Sequence, residues 1–413
     1  MVQFPALASA STTTSMSNAR ALAATATAAV PAVALLVSRL RRALAPPTAV
    51  GRESWPDAAE VEALLAALCS HYPHPFELDG WLSTGTVAMR VPPIVNRLGR
   101  RVQMVRLSDG GTARLTWTHG KAMPSRGVVL VLPGLNNSSV WPFMQQTAAS
   151  MCGHGFDACI LDFRGTGGLA LTSGRIACAD SWRDLPDVLA AIQAAAPSLP
   201  IFAVGFSLGG LMLINHLSRA AATTPIVGAA TVSAPLDLSA IAARLESSLP
   251  WRVANRVMAT MAIKGLLEMD EASKAHLRGV DWTVAARSTC LREIEASVIC
   301  PLHGWRDPEE YYAGCSPDIS AVRVPLLLVH ARDDPVIAAD IVERACRDTV
   351  RRSPSMLMLV TETGGHIGYT GGLAAQLGAG TRVDACVATF FGRRAAAASG
   401  AAVATTTATQ ARL

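Results

Sequence analysis

Pro200-Ile201-Phe202-Ala203-Val204-Gly205-Phe206-Ser207-Leu208-Gly209-Gly210-Leu211-Met212-Leu213-Ile214-Asn215-His216-Leu217 is the stretch whose reading decides the fold. Pro200–Phe206 is an apolar run of strand length, and Leu211–Leu217 continues as a helical pattern. Between them, Gly205-Phe206-Ser207-Leu208-Gly209 matches G-x-S-x-G. In a chain with 32 glycines such a pattern can arise by chance, so its setting matters more than its letters. A strand, a sharp turn and a helix in that order hold a serine strained and exposed at the end of the strand. Small neighbours let the backbone turn, and the helix N-terminus favours developing negative charge. The competing reading is an ordinary glycine-rich turn, and what lies up- and downstream decides between them.

Working outward, short Val/Ile/Leu-rich runs alternate with longer helical stretches. The expected strands are Val102–Leu107, Thr112–Thr118, Gly127–Leu132, Phe156–Asp162, Ile201–Phe206, Ile226–Ser233, Pro325–His330 and Met356–Thr361. The later runs are apolar throughout, as strands covered by helices on both faces must be. Asp109-Gly110-Gly111 fits a hairpin turn between the first two. Strands separated by helices predict an α/β fold with one eight-stranded, mostly parallel sheet. The interval Leu236–Val324 is too long for one crossover and lacks strand patterns, which predicts a helical lid inserted over the sheet.

Serine is a poor nucleophile until a base, itself oriented by a carboxylate, takes its proton. In a sheet of this build the acid and then the base follow the serine, each after a late strand. Asp334 in Ala331-Arg332-Asp333-Asp334-Pro335-Val336 is the better acid, and Asp333 is the alternative one residue away. The base is His366 in Gly364-Gly365-His366-Ile367-Gly368, where glycines let the loop fold back toward the serine. His216, His330, His303 and His154 lie on the wrong elements or before the required place. Two backbone N–H groups must hold the oxyanion. Leu208 supplies one; Leu135, in Pro133-Gly134-Leu135-Asn136-Asn137, supplies the other, with Asn136 near enough to assist.

Composition removes several alternatives. The net charge of +5 comes wholly from Arg20, Arg39, Arg41, Arg42 and Arg52, which all precede the first acidic residue, Glu53. The remaining chain is neutral and has no basic patch interleaved with aromatics, so a nucleic-acid partner is not expected. Nine scattered cysteines without a C-x-x-C pair suit buried thiols in a reducing compartment. No H-E-x-x-H run occurs, and no metal or other cofactor is expected.

The two ends differ from the middle. Residues 1–52 hold no Asp, Glu or Lys, and Ala21 to Ser38 is uncharged and followed by Arg39, Arg41 and Arg42. This segment is read as a single N-terminal membrane anchor, with an organelle transit peptide as the alternative. Residues 53–393 form the catalytic domain with its lid at about 236–324. The Ala/Thr-rich 394–413 is expected to be disordered. It ends in Ala411-Arg412-Leu413, close to a peroxisomal signal.

Further motifs run in order from Tyr72 to Gly372. They are Tyr72-Pro73-His74-Pro75-Phe76, Gly80-Trp81-Leu82-Ser83-Thr84, Asp109-Gly110-Gly111-Thr112, Leu132-Pro133-Gly134-Leu135 and Arg164-Gly165-Thr166-Gly167-Gly168. Tyr311-Tyr312 with Cys315-Ser316, Asp333-Asp334-Pro335 and Gly364-Gly365-His366-Ile367-Gly368 complete them. This set resembles a branch of the α/β-hydrolases, the membrane-anchored lipid esterases. Those include phospholipase-like mammalian members, a yeast monoacylglycerol lipase and yeast medium-chain ethyl ester synthase/esterases. The resemblance implies an α/β-hydrolase fold, the triad Ser207, Asp334 and His366, and hydrolysis of a lipid-like ester. Trp81-Leu82-Ser83-Thr84 and Asn136-Asn137-Ser138-Ser139 depart from the family pattern, and both are expected near the acyl entrance. Five residues after His366 stands Gly371, where some acyltransferases of the wider fold carry aspartate. An ester synthase, a peptidase and a thioesterase remain rivals that would use the same triad.

Overall fold

The computed structural model describes residues 33–69, 75–90, 100–121, 124–369, 375 and 377–410. Residues 21–32 of the expected anchor, Tyr72-Pro73-His74, Gly371, Gly372 and Ala411-Arg412-Leu413 lie outside them.

Among the described residues nine strands form one sheet: β1 (Thr48–Val50), β2 (Arg100–Arg106), β3 (Thr112–Thr118), β4 (Val128–Leu132), β5 (Asp157–Asp162), β6 (Ile201–Phe206), β7 (Ile226–Val232), β8 (Leu326–Ala331) and β9 (Met356–Thr361). Their order is β1-β9-β8-β7-β6-β4-β5-β3-β2. The six strands β4 to β9 run parallel, while β1, β2 and β3 pair antiparallel at the edges. Eight strands stand where the sequence places them, to within two residues. The ninth is a correction: β1 pairs with β9 in the register Ala49↔Leu359. Three residues carry no alternation, so nothing in the sequence marks β1 as a strand.

The helices in chain order are α1 (33–44), α2 (Ala58–Leu68), α3 (Gly80–Ala88), α4 (Pro142–Gly153), α5 (Leu185–Ala195) and α6 (Leu208–Ala220). The lid holds α7 (Leu238–Ser247), α8 (Leu249–Leu267), α9 (Glu271–His276), α10 (Trp282–Arg287), α11 (Leu291–Ile294), α12 (Cys300–His303) and α13 (Pro308–Cys315). After it come α14 (Ala339–Arg352) and α15 (Arg382–Gln410). As expected, the interval 236–324 contains helices and no strand.

β4 shows why the parallel strands hold. All five of its residues are fully buried, and alternate ones join opposite cores. Leu130 and Leu132 pack with α5 and α6; Val129 and Val131 pack with α2, α4 and α15. Each such side chain contributes roughly 1.5–3 kcal/mol relative to exposure. A third apolar cluster, including Ile263, Val298 and Tyr311, belongs to the lid and meets the sheet side through Leu211 of α6.

Both chain ends join the body further than expected. β1 begins inside the N-terminal segment that the sequence sets apart at residue 52. At the other end α15 runs to Gln410, into the 394–413 segment expected to be a disordered tail. Alanine favours helix, and Phe390 and Phe391 anchor this one: the Phe391 ring lies 5.1 Å from that of Phe202 on β6. Arg394 then pairs with the buried Glu60 and covers the Trp55 ring. Among the described residues no helix is long and apolar enough to cross a membrane.

Candidate active site

The turn at Ser207 is built by close approach of backbones. Ser207, between β6 and α6, sits at φ 51°, a left-handed conformation that a non-glycine residue adopts only under constraint. Its N–H donates to the Val232 carbonyl of β7 at 2.8 Å. A Cβ on Gly209 would lie 2.4 Å from the carbonyl oxygens of Leu132 and Pro133, so α6 could not start there with any larger residue. The sharp turn expected of G-x-S-x-G is therefore present.

His366 reaches back to this turn: Nε2 is 2.9 Å from Ser207 Oγ, and Nδ1 is 2.9 Å from Asp334 Oδ2. The Asp334 side chain is fully buried. Its other oxygen, Oδ1, accepts from the Val336 and Ile337 amides at 2.8 and 2.9 Å. Burial works to raise the Asp334 carboxyl, but the His366 charge and hydrogen bond, with those two amides, hold it below the ordinary carboxylate value. Asp333 points elsewhere. Its Oδ1 accepts from the Gly365 N–H at 2.9 Å, and burial, reinforced by the Asp334 charge, pushes it up to about 6. Of the two aspartates, Asp334 is the one in contact with His366. The remaining candidates have other partners. His216 Nε2 lies 3.0 Å from Thr224 Oγ1, and His330 Nε2 lies 3.1 Å from the Ala234 carbonyl. Burial lowers both imidazoles to about 4.

Leu208 and Leu135 line the same cavity as Ser207, and neither amide makes a hydrogen bond among the described residues. Asn136, at φ 57°, follows Leu135 into that space, and its Nδ2 is buried without a partner there. The cavity holds about 160 Å³ between the sheet and the lid. Ile241, Met258, Ala262 and Leu266 from the lid face Val336 and Ile337 from the acid loop across it. It is a predominantly apolar chamber opening on the serine.

One support escaped the sequence. Ser83 and Thr84 of α3, expected near the acyl entrance, instead lie under the His366 loop. The His366 N–H donates to Thr84 Oγ1 at 2.8 Å, and Ser83 Oγ donates to the Gly364 carbonyl at 2.9 Å. The Cβ missing from Gly80 would stand 1.8 Å from the Asp333 carbonyl oxygen, so α3 also presses against the acid loop. The Ser-Thr pair is its only trace in the sequence, and contacts across more than 280 residues have no local signature. Of the other departure, Asn136 does face the cavity, while the Ser139 N–H and Oγ donate to Asp162 at 2.5 and 2.7 Å. Arg164 is structural too, bound to both Asp109 and Asp184.

Fold, elbow and buried Ser–His–Asp chain together define a serine hydrolase of the α/β-hydrolase class. More narrowly, the chain belongs to the hydrolase family described as serine aminopeptidase S33, whose model matches residues 123–357. Its relatives include proteins named as a phospholipase, a lipase and an ester synthase/esterase. It is 26% identical over 305 residues to mouse phospholipase ABHD3, covering 71% of this chain and 72% of that one. It is 25% identical over 254 residues to the monoacylglycerol lipase of Saccharomyces cerevisiae, covering 59% of this chain and 55% of that one. A third relative is the yeast medium-chain fatty acid ethyl ester synthase/esterase 2, 26% identical over 266 residues, with 59% and 58% covered.

Proposed function

We propose that this protein hydrolyses carboxylic esters of lipid-like substrates, short- or medium-chain acyl esters, monoacylglycerols or phospholipids, through an acyl-enzyme on Ser207. The observation that carries this reading is the hydrogen-bonded chain Ser207–His366–Asp334 opening on an apolar cavity. His366 takes the Ser207 proton as Oγ attacks the acyl carbonyl, and Asp334 stabilises the imidazolium that forms. The amides of Leu208 and Leu135 receive the oxyanion, each being worth on the order of 10²–10³ in rate. Protonated His366 then releases the alcohol, and a water activated by the same imidazole frees the acid. A fluorophosphonate probe should label the wild type and leave Ser207→Ala unlabelled; equal labelling of both rejects Ser207 as the nucleophile. Faster cleavage of an amide than of the matching ester would favour a peptidase, and acyl transfer to an added alcohol in preference to water would favour an ester synthase.

The domain plan that goes with this reading is an N-terminal segment, a catalytic body with its lid, and a C-terminal tail. The segment attaches the enzyme to a lipid surface, which is supported by the exposed Val33, Leu35 and Leu36 beside Arg39, Arg41 and Arg42. Flotation with anionic vesicles should carry the full chain and lose it when residues 1–44 are removed. Equal flotation of both places the attachment elsewhere.

A further inference from the structure

The cavity beside Ser207 is not apolar throughout. Glu295 stands in its wall, on the π-helical turn Glu295–Ile299 that joins α11 to α12. Single π turns inside α-helices are rare, and those that occur are frequently at functional sites. A second cavity of about 60 Å³ adjoins the first. The two share Leu238, Ile241, Leu245, Leu291 and Glu295, and the second adds Glu246, Asn255, Arg292 and Tyr312. The chamber is thus apolar around the serine, and beyond Glu295 a few polar side chains join a lining that is still mainly apolar.

Beyond Glu295 the hydroxyl of Tyr312 and the guanidinium of Arg292 are turned to carboxyl groups. Tyr312 Oη donates to Glu295 Oε2. Arg292 pairs with Glu246 at 2.8 Å and with Glu309, and its guanidinium lies over the Tyr312 ring. Glu295 Oε1 makes no hydrogen bond among the described residues, and this carboxyl borders both cavities. Oε1 is thus a carboxyl oxygen open toward the chamber, where a ligand group with a proton to donate could reach it.

We propose that Glu295 is a specificity-determining residue whose free carboxyl oxygen accepts a hydrogen bond from a hydroxyl group on the substrate's acyl chain. The proposal rests on the esterase reading above and on the acyl chain lying in this chamber. An apolar wall rejects a hydroxylated chain because the hydroxyl would be buried without a partner. A hydrogen bond to a charged acceptor reverses that by about 10- to 100-fold. Burial pushes Glu295 up to about 7. The Tyr312 hydrogen bond and Arg292 oppose this, and Glu246 and Glu309 add to it. Above that value the carboxylate leaves Oε1 free to accept; below it the proton sits on Oε1, because Tyr312 holds Oε2, so the preference is read at about pH 8 or above. A chain ending in a carboxylate meets like charge instead, and an unsubstituted chain leaves Oε1 unpaired.

The experiment measures kcat/KM of the full chain on p-nitrophenyl esters of one chain length. The acyl group is unsubstituted, hydroxylated at successive carbons outward from the carbonyl, or terminated by a carboxylate. The wild type should favour one hydroxylated position, and Glu295→Leu should lower its ratio to the unsubstituted ester by about 10-fold or more. Glu295→Gln, which keeps an accepting oxygen, should retain much of the preference and improve turnover of the carboxylate-ended ester. Tyr312→Phe separates this role from that of a lid fastener. If Glu295 only holds the lid, Tyr312→Phe reproduces Glu295→Leu, and all esters fall by one factor. That result, or a hydroxyl ratio unchanged in Glu295→Leu, overturns the proposal. Should Glu295→Leu fail to fold, the same ratio is read in Glu295→Met, and an unchanged ratio there is equally decisive. No turnover of the unsubstituted ester by the wild type would reject the esterase reading itself, which keeps the two failures distinct.

Discussion

The two walls of the cavity follow different rules of construction. The sheet wall comes from strands buried on both faces, and its turns leave no room for a methyl group at Gly209. The lid wall comes from seven helices, four of them only four to six residues long, packed through their own apolar cluster. Ser207, Asp334 and His366 all stand at the ends of the parallel strands, while the lid adds mainly apolar surface and one acidic residue. On the proposed mechanism the contrast separates two tasks: positioning of reacting atoms belongs to the sheet, and selection among acyl chains to the lid.

The largest expected effect lies on the sheet side. Asp334→Asn should lower kcat by about 10⁴, because an amide favours the wrong imidazole tautomer, with KM little changed. A loss under about 10-fold would mean that Asp334 is not the partner that orients the base.

A smaller loss tests the hidden support from α3. Thr84→Val leaves the buried His366 N–H unpaired, at about 1–3 kcal/mol, which is on the order of 10- to 100-fold in kcat if the loop shifts. Thr84→Ser should restore activity, which a simple packing defect would not allow.

On the lid side, Ile241→Ala removes apolar surface from the chamber far from the proton transfers. It should raise KM for medium-chain esters by about 10-fold, the effect of one or two methylene contacts. kcat on an acetyl ester should remain within about 2-fold of the wild type. An equal fall in kcat on both substrates would erase the division between the walls.

The smallest effect is on stability. A carboxyl whose folded value is raised from 4.5 to about 7 opposes folding as pH rises through that window, because the folded state retains the proton longer. Between about pH 5 and pH 8, wild-type Tm should therefore fall further than that of Glu295→Gln, measured by calorimetry. Parallel curves would show that Glu295 does not titrate in that range.

What could be read from the sequence follows the same division. Strands such as Val128–Leu132 announce themselves because burial on both faces demands an unbroken apolar run. The nucleophile turn does so because only glycines permit it. The step from Asp333 to Asp334 was a matter of register: the Val336 and Ile337 amides capture Asp334 Oδ1 and turn Oδ2 to the imidazole. β1 was not legible, since Thr48–Val50 is a strand only because β9 offers an edge. Nor were Thr84 and Glu295, whose roles arise from contacts between distant segments. The Ala-rich C-terminus concealed a helix because composition does not reveal that Phe390 and Phe391 anchor it.

That last helix has a consequence for biosynthesis. Phe391 covers Phe202 on the strand that leads to the nucleophile, so a ribosome-bound chain has already made Ser207, Asp334 and His366 before their sheet is closed on that face. Until residues 382–395 emerge, a strip of aromatic and aliphatic surface stays open to water and to other nascent chains. Premature termination between His366 and Phe390 would therefore yield an adhesive, chaperone-dependent intermediate even though Ser207, Asp334 and His366 had all been synthesised.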